Sequence, residues 1–220
     1  MWEFGEKLRF MTIFRNNLLP IDDFYLPEPS HIKAIRDSCP ENLKKMQMSH
    51  GECRILSLLL QMIRAERVLE LGTLVGCSTA WIAHSLCGDK PLVVSVEKSI
   101  NNYSLAKANI NSAGLNNIVQ LVNGDAIEFL ESCSGDRLFD AIFIDAKKVE
   151  YSIYLKLAKL SVRDFGLIIV DNTLMIDEKI PEISAEIRKF NALVENDSEL
   201  VSVILPTIAG LTVIMKKPSE

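Results

Sequence analysis

Residues 139–174 read FDAIFIDAKKVEYSIYLKLAKLSVRDFGLIIVDNTL, and within them two apolar runs each end in acid. Residues 141–144 lead into Asp145, and residues 166–170 lead into Asp171-Asn172. The helix-like segment between them has about the length that a crossover between parallel strands needs. Such a unit sets Asp145, Asp171 and Asn172 side by side at the carboxyl ends of neighbouring strands, the edge where open α/β sheets bind ligands. Two carboxylates and an amide oxygen make a hard, all-oxygen donor set suited to Mg²⁺, Mn²⁺ or Ca²⁺. Lys148, three residues after Asp145, is placed to lean over the same point.

The pattern extends in both directions. Apolar runs predict strands at 67–71, 92–97, 118–123, 141–144, 167–170, 201–205 and 211–215. Helical patterns at 79–85, 101–113, 126–132 and 150–160 separate the first five, and a mostly buried helix is expected over 52–62. That alternation predicts an α/β fold, a mostly parallel seven-stranded sheet with helices on both faces. The last two strands differ, because Pro206-Thr207-Ile208-Ala209-Gly210 is too short for a crossover and predicts an antiparallel hairpin. A parallel sheet closed by such a hairpin is the topology of S-adenosylmethionine-dependent methyltransferases. The chain is expected to form one domain, residues 1–220, with a helical and loop extension at 1–45 and a cofactor- and metal-binding core at 46–220.

Three other strand ends are polar. Val68-Leu69-Glu70-Leu71-Gly72-Thr73-Leu74-Val75-Gly76-Cys77-Ser78 reads strand, glycine turn, helix start. Gly72 permits a tight turn and a close backbone approach by a ligand. Glu70 precedes the turn, and its carboxylate would repel a pyrophosphate but suit a sulfonium and an ammonium. Glu97 ends the second strand and is placed either to accept from a ribose diol or to cap the next helix. Asn123-Gly124-Asp125-Ala126 ends the third, with Asp125 read as an adenine contact or as a helix cap. Together the three ends point to a nucleoside-like ligand.

Bulk properties narrow the classes. The formal net charge is -5 and the basic residues are scattered, so no stripe marks a nucleic-acid groove. No apolar run reaches the ~20 residues that span a bilayer. The N-terminal segment, with Glu3, Glu6, Lys7, Arg9 and Arg15 among apolar residues, reads as an amphipathic helix packed on the domain or on a partner subunit. Five cysteines, odd in number and without a CxxC pair, suggest neither a disulfide framework nor a zinc site and point to a reducing cytoplasm. His31, His50 and His84 show no ligand spacing.

In their order and spacing, MSHGECRILSLLL, VLELGTLVGCST, VVSVEKS, NGDAIEFL, FDAIFIDAKKVEY, GLIIVDNTL and LPTIAGLTVIMKK resemble the metal-dependent catechol and caffeoyl-CoA type O-methyltransferases, over about residues 46–216. The resemblance implies a Rossmann-like methyltransferase fold, a homodimer, S-adenosylmethionine and a divalent metal. It sets the metal ligands on Asp145, Asp171 and Asn172 and the catalytic lysine on Lys148. Cofactor contacts fall on Met48, Glu70, Gly72, Thr73, Ser78, Glu97, Asp125, Ala126 and Asp145, and Tyr151 is packing support. The implied reaction is methyl transfer to a hydroxyl of a small, catechol-like diol. Lys147 stands where the family has an acid, which favours an anionic acceptor. Cys53 replaces a glycine, Met175 an aromatic at the acceptor pocket, and Ala209 an aspartate. Two alternatives stay open: a metal-independent methyltransferase acting on RNA or protein, and a non-catalytic cofactor-binding relative.

Overall fold

The computed structural model describes residues 27–133, 135, 138–177 and 179–218. The amphipathic helix expected within residues 1–20 lies outside them. Seven helices and seven strands follow in chain order: α1 (Ser30–Asp37), α2 (His50–Met62), β1 (Arg67–Leu71), α3 (Cys77–Ser85), β2 (Leu92–Glu97), α4 (Ile100–Ser112), β3 (Val119–Asn123), α5 (Ala126–Cys133), β4 (Phe139–Ile144), α6 (Tyr151–Ser161), β5 (Val162–Asp171), α7 (Pro181–Asn196), β6 (Leu200–Leu205) and β7 (Leu211–Lys216). The sheet order is β3-β2-β1-β4-β5-β7-β6, with β7 antiparallel to both β5 and β6 and every other pairing parallel. The Rossmann-like architecture and the C-terminal hairpin are those expected from the sequence.

Alternation along the strands splits the core between two faces. Val68, Val93, Ala141, Phe143 and Ile169 pack with α1–α4, through Ile32, Leu56, Ala80 and Ile110. Their neighbours Leu69, Val94, Ile142, Ile144 and Val170 pack with α5–α7, through Leu130, Tyr154 and Phe190. Burying each of the Val, Leu, Ile and Phe side chains contributes about 1.5–3 kcal/mol, so both layers resist displacement of the strand ends that carry the polar residues.

Most boundaries fall within two residues of expectation; three differences are informative. Helix α2 begins at His50, because Ser49 and Glu52 form a capping box: the Glu52 N–H donates to Ser49 Oγ (3.2 Å) and the Ser49 N–H to Glu52 Oε2 (3.1 Å). Strand β5 starts five residues early, with an irregularity against β4. There Phe165 has φ 59°, and a Cβ at Gly166 would stand 2.7 Å from the Asp140 carbonyl oxygen, so only glycine fits. Helix α7 has no counterpart in the sequence reading, although Pro181 in its first turn and the buried Ile187, Phe190 and Val194 are its signature.

Candidate active site

The order in which strands are added to the sheet reverses between the parallel strands β1 and β4, and a cavity of about 690 Å³ opens over that switch point at the carboxyl ends of the strands. Its lining includes Met48, Gly72, Thr73, Ser78, Glu97, Asp125, Ala126, Asp145, Lys148, Asp171 and Asn172. Of the metal, catalytic and cofactor residues expected from sequence, Glu70 alone does not line it. Glu70 is fully buried beneath the turn, where its carboxylate accepts from Thr79 and from Ser95 Oγ (2.6 Å). Burial pushes its carboxyl up to about 7 against the pull of the Ser78, Ser95 and Thr79 hydroxyls. Ser95 in turn pairs with Thr73 Oγ1 at 2.6 Å, so Glu70 reaches the cavity through hydroxyls, that of Ser78 and the Ser95–Thr73 pair.

The glycine turn is built by its neighbours. Gly72 has φ 95°, and its N–H donates to the Val96 carbonyl at 2.9 Å. A Cβ there would lie 2.2 Å from the Asp145 carbonyl oxygen. The close approach that demands glycine is therefore made by the exit of β4. Glu97 stabilises the same turn: Oε2 accepts from the N–H groups of Leu74 (2.9 Å) and Thr73 (3.3 Å), and Oε1 accepts from Ser99 (2.8 Å). An ionised carboxylate has about four acceptor positions, so this one retains about one for a ligand. Asp125 caps α5 through the Ile127 N–H (2.8 Å) and pairs with Lys98 at 2.8 Å, which holds its carboxyl below the usual range.

Across the switch point, Asp145 follows β4 and Asp171 ends β5. Burial raises both carboxyls. Lys148 opposes the shift at Asp145, whereas Asp171, buried beside Asp145 and within reach of Glu52, is pushed up to about 8. Carboxylates that repel one another in a buried place form a donor set that a hard cation would relieve, and the Asn172 amide supplies a third oxygen. Among the described residues no group of three or more His, Cys, Asp or Glu side chains is placed to hold a metal, so two carboxylates and that amide are the set available. Asn172 has φ 62°, a conformation that asparagine tolerates. Its N–H donates to Asp171 Oδ1 at 2.7 Å, and the next two N–H groups donate to the carbonyls of Gly210 (3.0 Å) and Ala209 (2.7 Å). Tyr151 Oη donates to the Asp171 carbonyl at 2.8 Å and its ring meets Phe190 edge-on, the packing role expected for it.

The two lysines diverge. Lys148 Nζ lies 3.4 Å from Asp145 Oδ1, with the side chain four-fifths buried. Lys147 turns away to Glu150 (2.6 Å) and is largely exposed, so its charge is offset locally. Sequence reasoning missed the support of the opposite wall. Arg36 donates to both Glu28 oxygens (2.7 and 2.8 Å) and to the Met48 carbonyl (2.7 Å), and Trp81 Nε1 also donates to Glu28 (2.9 Å). His50 stacks near Trp81 and accepts from Arg54 Nε at 2.8 Å; it does not line the cavity. Cys77 does line it, but burial pushes its thiol up to about 12, so it is not a nucleophile at neutral pH.

Comparison with known proteins agrees with this geometry. Residues 26–217 match the family described as O-methyltransferase. The chain is 33% identical over 196 residues to the catechol O-methyltransferase of Niastella koreensis, covering 86% of this chain and 88% of that protein. It is 29% identical to caffeoyl-CoA O-methyltransferase 2 of Zea mays, covering 84% and 75%. Among solved structures, the O-methyltransferase of Bacillus cereus in complex with SAH superposes with a TM-score of 0.79 at 27% identity, over 90% of this chain and 95% of that one.

Proposed function

The chain belongs to the O-methyltransferase family, and from that membership we propose that it transfers a methyl group from S-adenosylmethionine to one hydroxyl of a small vicinal diol, catechol-like, with a divalent metal (Mg²⁺, Mn²⁺ or Ca²⁺). The observation that carries the reading is one cavity shared by the Glu97 and Gly72 turn, the carboxylates Asp145 and Asp171, and an amine 3.4 Å from Asp145. Glu97 and Asp125, at the ends of β2 and β3, would hold the nucleoside, and Asp145 after β4 would stand at the sulfur end. Asp145, Asp171 and Asn172 hold the metal, which when bound supplies acidity to a chelating hydroxyl. Lys148 Nζ takes the proton of that hydroxyl. The walls then act by holding the freed oxygen in line with the methyl group, the larger share of the acceleration.

The acceptor enters past Met46, Met175 and Ile208, exposed apolar side chains that also line the cavity. The apolar rim suits the face of an aromatic ring, and Lys147, which also lines the cavity, has its charge offset by Glu150. The scattered basic residues and the net charge of -5 argue against a nucleic-acid substrate. No helix among the described residues is long and apolar enough to cross a membrane. Exposed Val201, Val203 and Ile204 on the edge strand β6 support the proposed homodimer.

A labelled-methyl screen over catechols, flavonoids and CoA-linked phenols, with and without Mg²⁺ or Mn²⁺, tests the reading. Transfer to a diol that stops in chelator is expected; transfer undiminished by chelator would overturn the metal assignment. A narrower test concerns Glu97. Glu97→Gln replaces an acceptor oxygen by a donor NH₂ while keeping the size. It is expected to weaken S-adenosylhomocysteine by about tenfold or more, since hydrogen bonds to charged groups contribute about 1.5–3 kcal/mol. Calorimetry that returns wild-type affinity would remove Glu97 from the cofactor site.

A further inference from the structure

Glu52 is a carboxylate that the mechanism leaves unused. It is 7% exposed, yet it lines the cavity between Met48 and the metal-site pair. Oε2 accepts the Ser49 N–H of the capping box at 3.1 Å. Oε1 accepts no hydrogen bond from the described residues, and Glu52 forms no ion pair with any of them. Oε1 is not among the buried oxygens that lack a partner, so it opens onto the cavity, where a ligand can donate to it. Its charge is felt at both Asp145 and Asp171. The three side chains nevertheless do not form a group able to hold one metal ion. Glu52 therefore stands close to the carboxylate pair without being a third ligand, and its open oxygen suits a different cation.

We infer that Glu52 receives the α-ammonium group of the cofactor's amino-acid end. This inference rests on the reading that the cavity takes S-adenosylmethionine. Of the cofactor's two cationic centres, the sulfonium is committed to the methyl acceptor beside Asp145 and Lys148. The ammonium sits at the far end of a short chain. The cavity walls left for that end are the start of α2, with Met48, Ser49 and Glu52, and the start of α3, with Cys77 and Ser78. On these walls Glu52 is the anionic group with an open acceptor oxygen, and N–H groups at the helix starts suit the cofactor's own carboxylate. The charges then pair singly: ammonium with Glu52, metal with Asp145 and Asp171.

The test separates the ammonium from everything else on the ligand. Calorimetry compares S-adenosylhomocysteine with its desamino analogue, in which hydrogen replaces the amino group, on wild type and on Glu52→Gln. Glutamine preserves the acceptor that the capping box needs, so α2 keeps its start. Glu52→Gln is expected to lose at least about tenfold in affinity for S-adenosylhomocysteine and to bind the desamino analogue as wild type does. Equal losses for the two ligands would show that Glu52 only shapes the wall, and undiminished binding of S-adenosylhomocysteine would show that it has no part; either overturns the inference. Wild-type protein that binds neither ligand would overturn the cofactor reading itself, and the inference with it.

Discussion

Replacing Lys148 by methionine is expected to cut the maximal rate of methyl transfer by about 10²–10⁴-fold, the range for losing a positioned general base. Methionine keeps the apolar stem over Tyr151, whose ring centroid lies 6.0 Å from Nζ, and removes only the amine. Cofactor affinity should stay close to wild type, because the turn held by Glu97 lies on the other side of the switch point. Lys147→Met is the control. Its partner is Glu150 at 2.6 Å and it is largely exposed, so only a small change is expected. Single-turnover rates for the two variants decide between them. Loss with Lys147→Met and retention with Lys148→Met would shift the assigned role by one residue. Retention in both would mean that the metal alone activates the hydroxyl.

Asp171→Ala should abolish metal-dependent transfer, leaving no more activity than chelator-treated wild type. It removes one of two carboxylates from a donor set that has no third, and it strips the Asn172 N–H of its 2.7 Å acceptor. Asp171→Asn retains an acceptor for that N–H, so it separates loss of charge from loss of loop geometry. Mn²⁺ titration followed by electron paramagnetic resonance reads the site without turnover. Both variants should lose high-affinity binding, while S-adenosylhomocysteine still binds. Full activity of Asp171→Ala in chelator would show that the acidic pair is structural.

The sheet was legible because its strands are short apolar runs bounded by polar ends, and because the last connection is too short for a crossover. That Asp145, Asp171 and Asn172 line one cavity was legible for the same reason: strand ends in successive units must share an edge. What escaped the sequence depends on partners that periodicity does not reveal. Glu97 offers itself to a ribose, but three of its acceptor positions are taken by backbone N–H groups, two of them on the turn after β1. Asp125 is the helix cap that the sequence offered as one of two readings, but its pairing with Lys98 gave no signal. Glu70 carries the right chemistry at the right strand, yet lies under the floor. Arg36 gives no signal of its own, because its partners are a distant carbonyl and a glutamate ahead of its helix. The first half of β5 was hidden by Arg163-Asp164-Phe165-Gly166, a sequence that reads as a turn and carries a kink.

The 2.2 Å clearance at Gly72 matters to anyone who would evolve a new acceptor preference into this scaffold. Position 72 looks like a cofactor-loop residue that a randomised library could include. Any side chain there, however, would press on the carbonyl of Asp145 and displace that residue in the cavity wall, so variants at 72 would lose activity for reasons unrelated to substrate choice. Diversity is better spent on Met46, Met175 and Ile208. Their exposed side chains can change shape and polarity while the joint between the Gly72 turn and the end of β4 stays untouched.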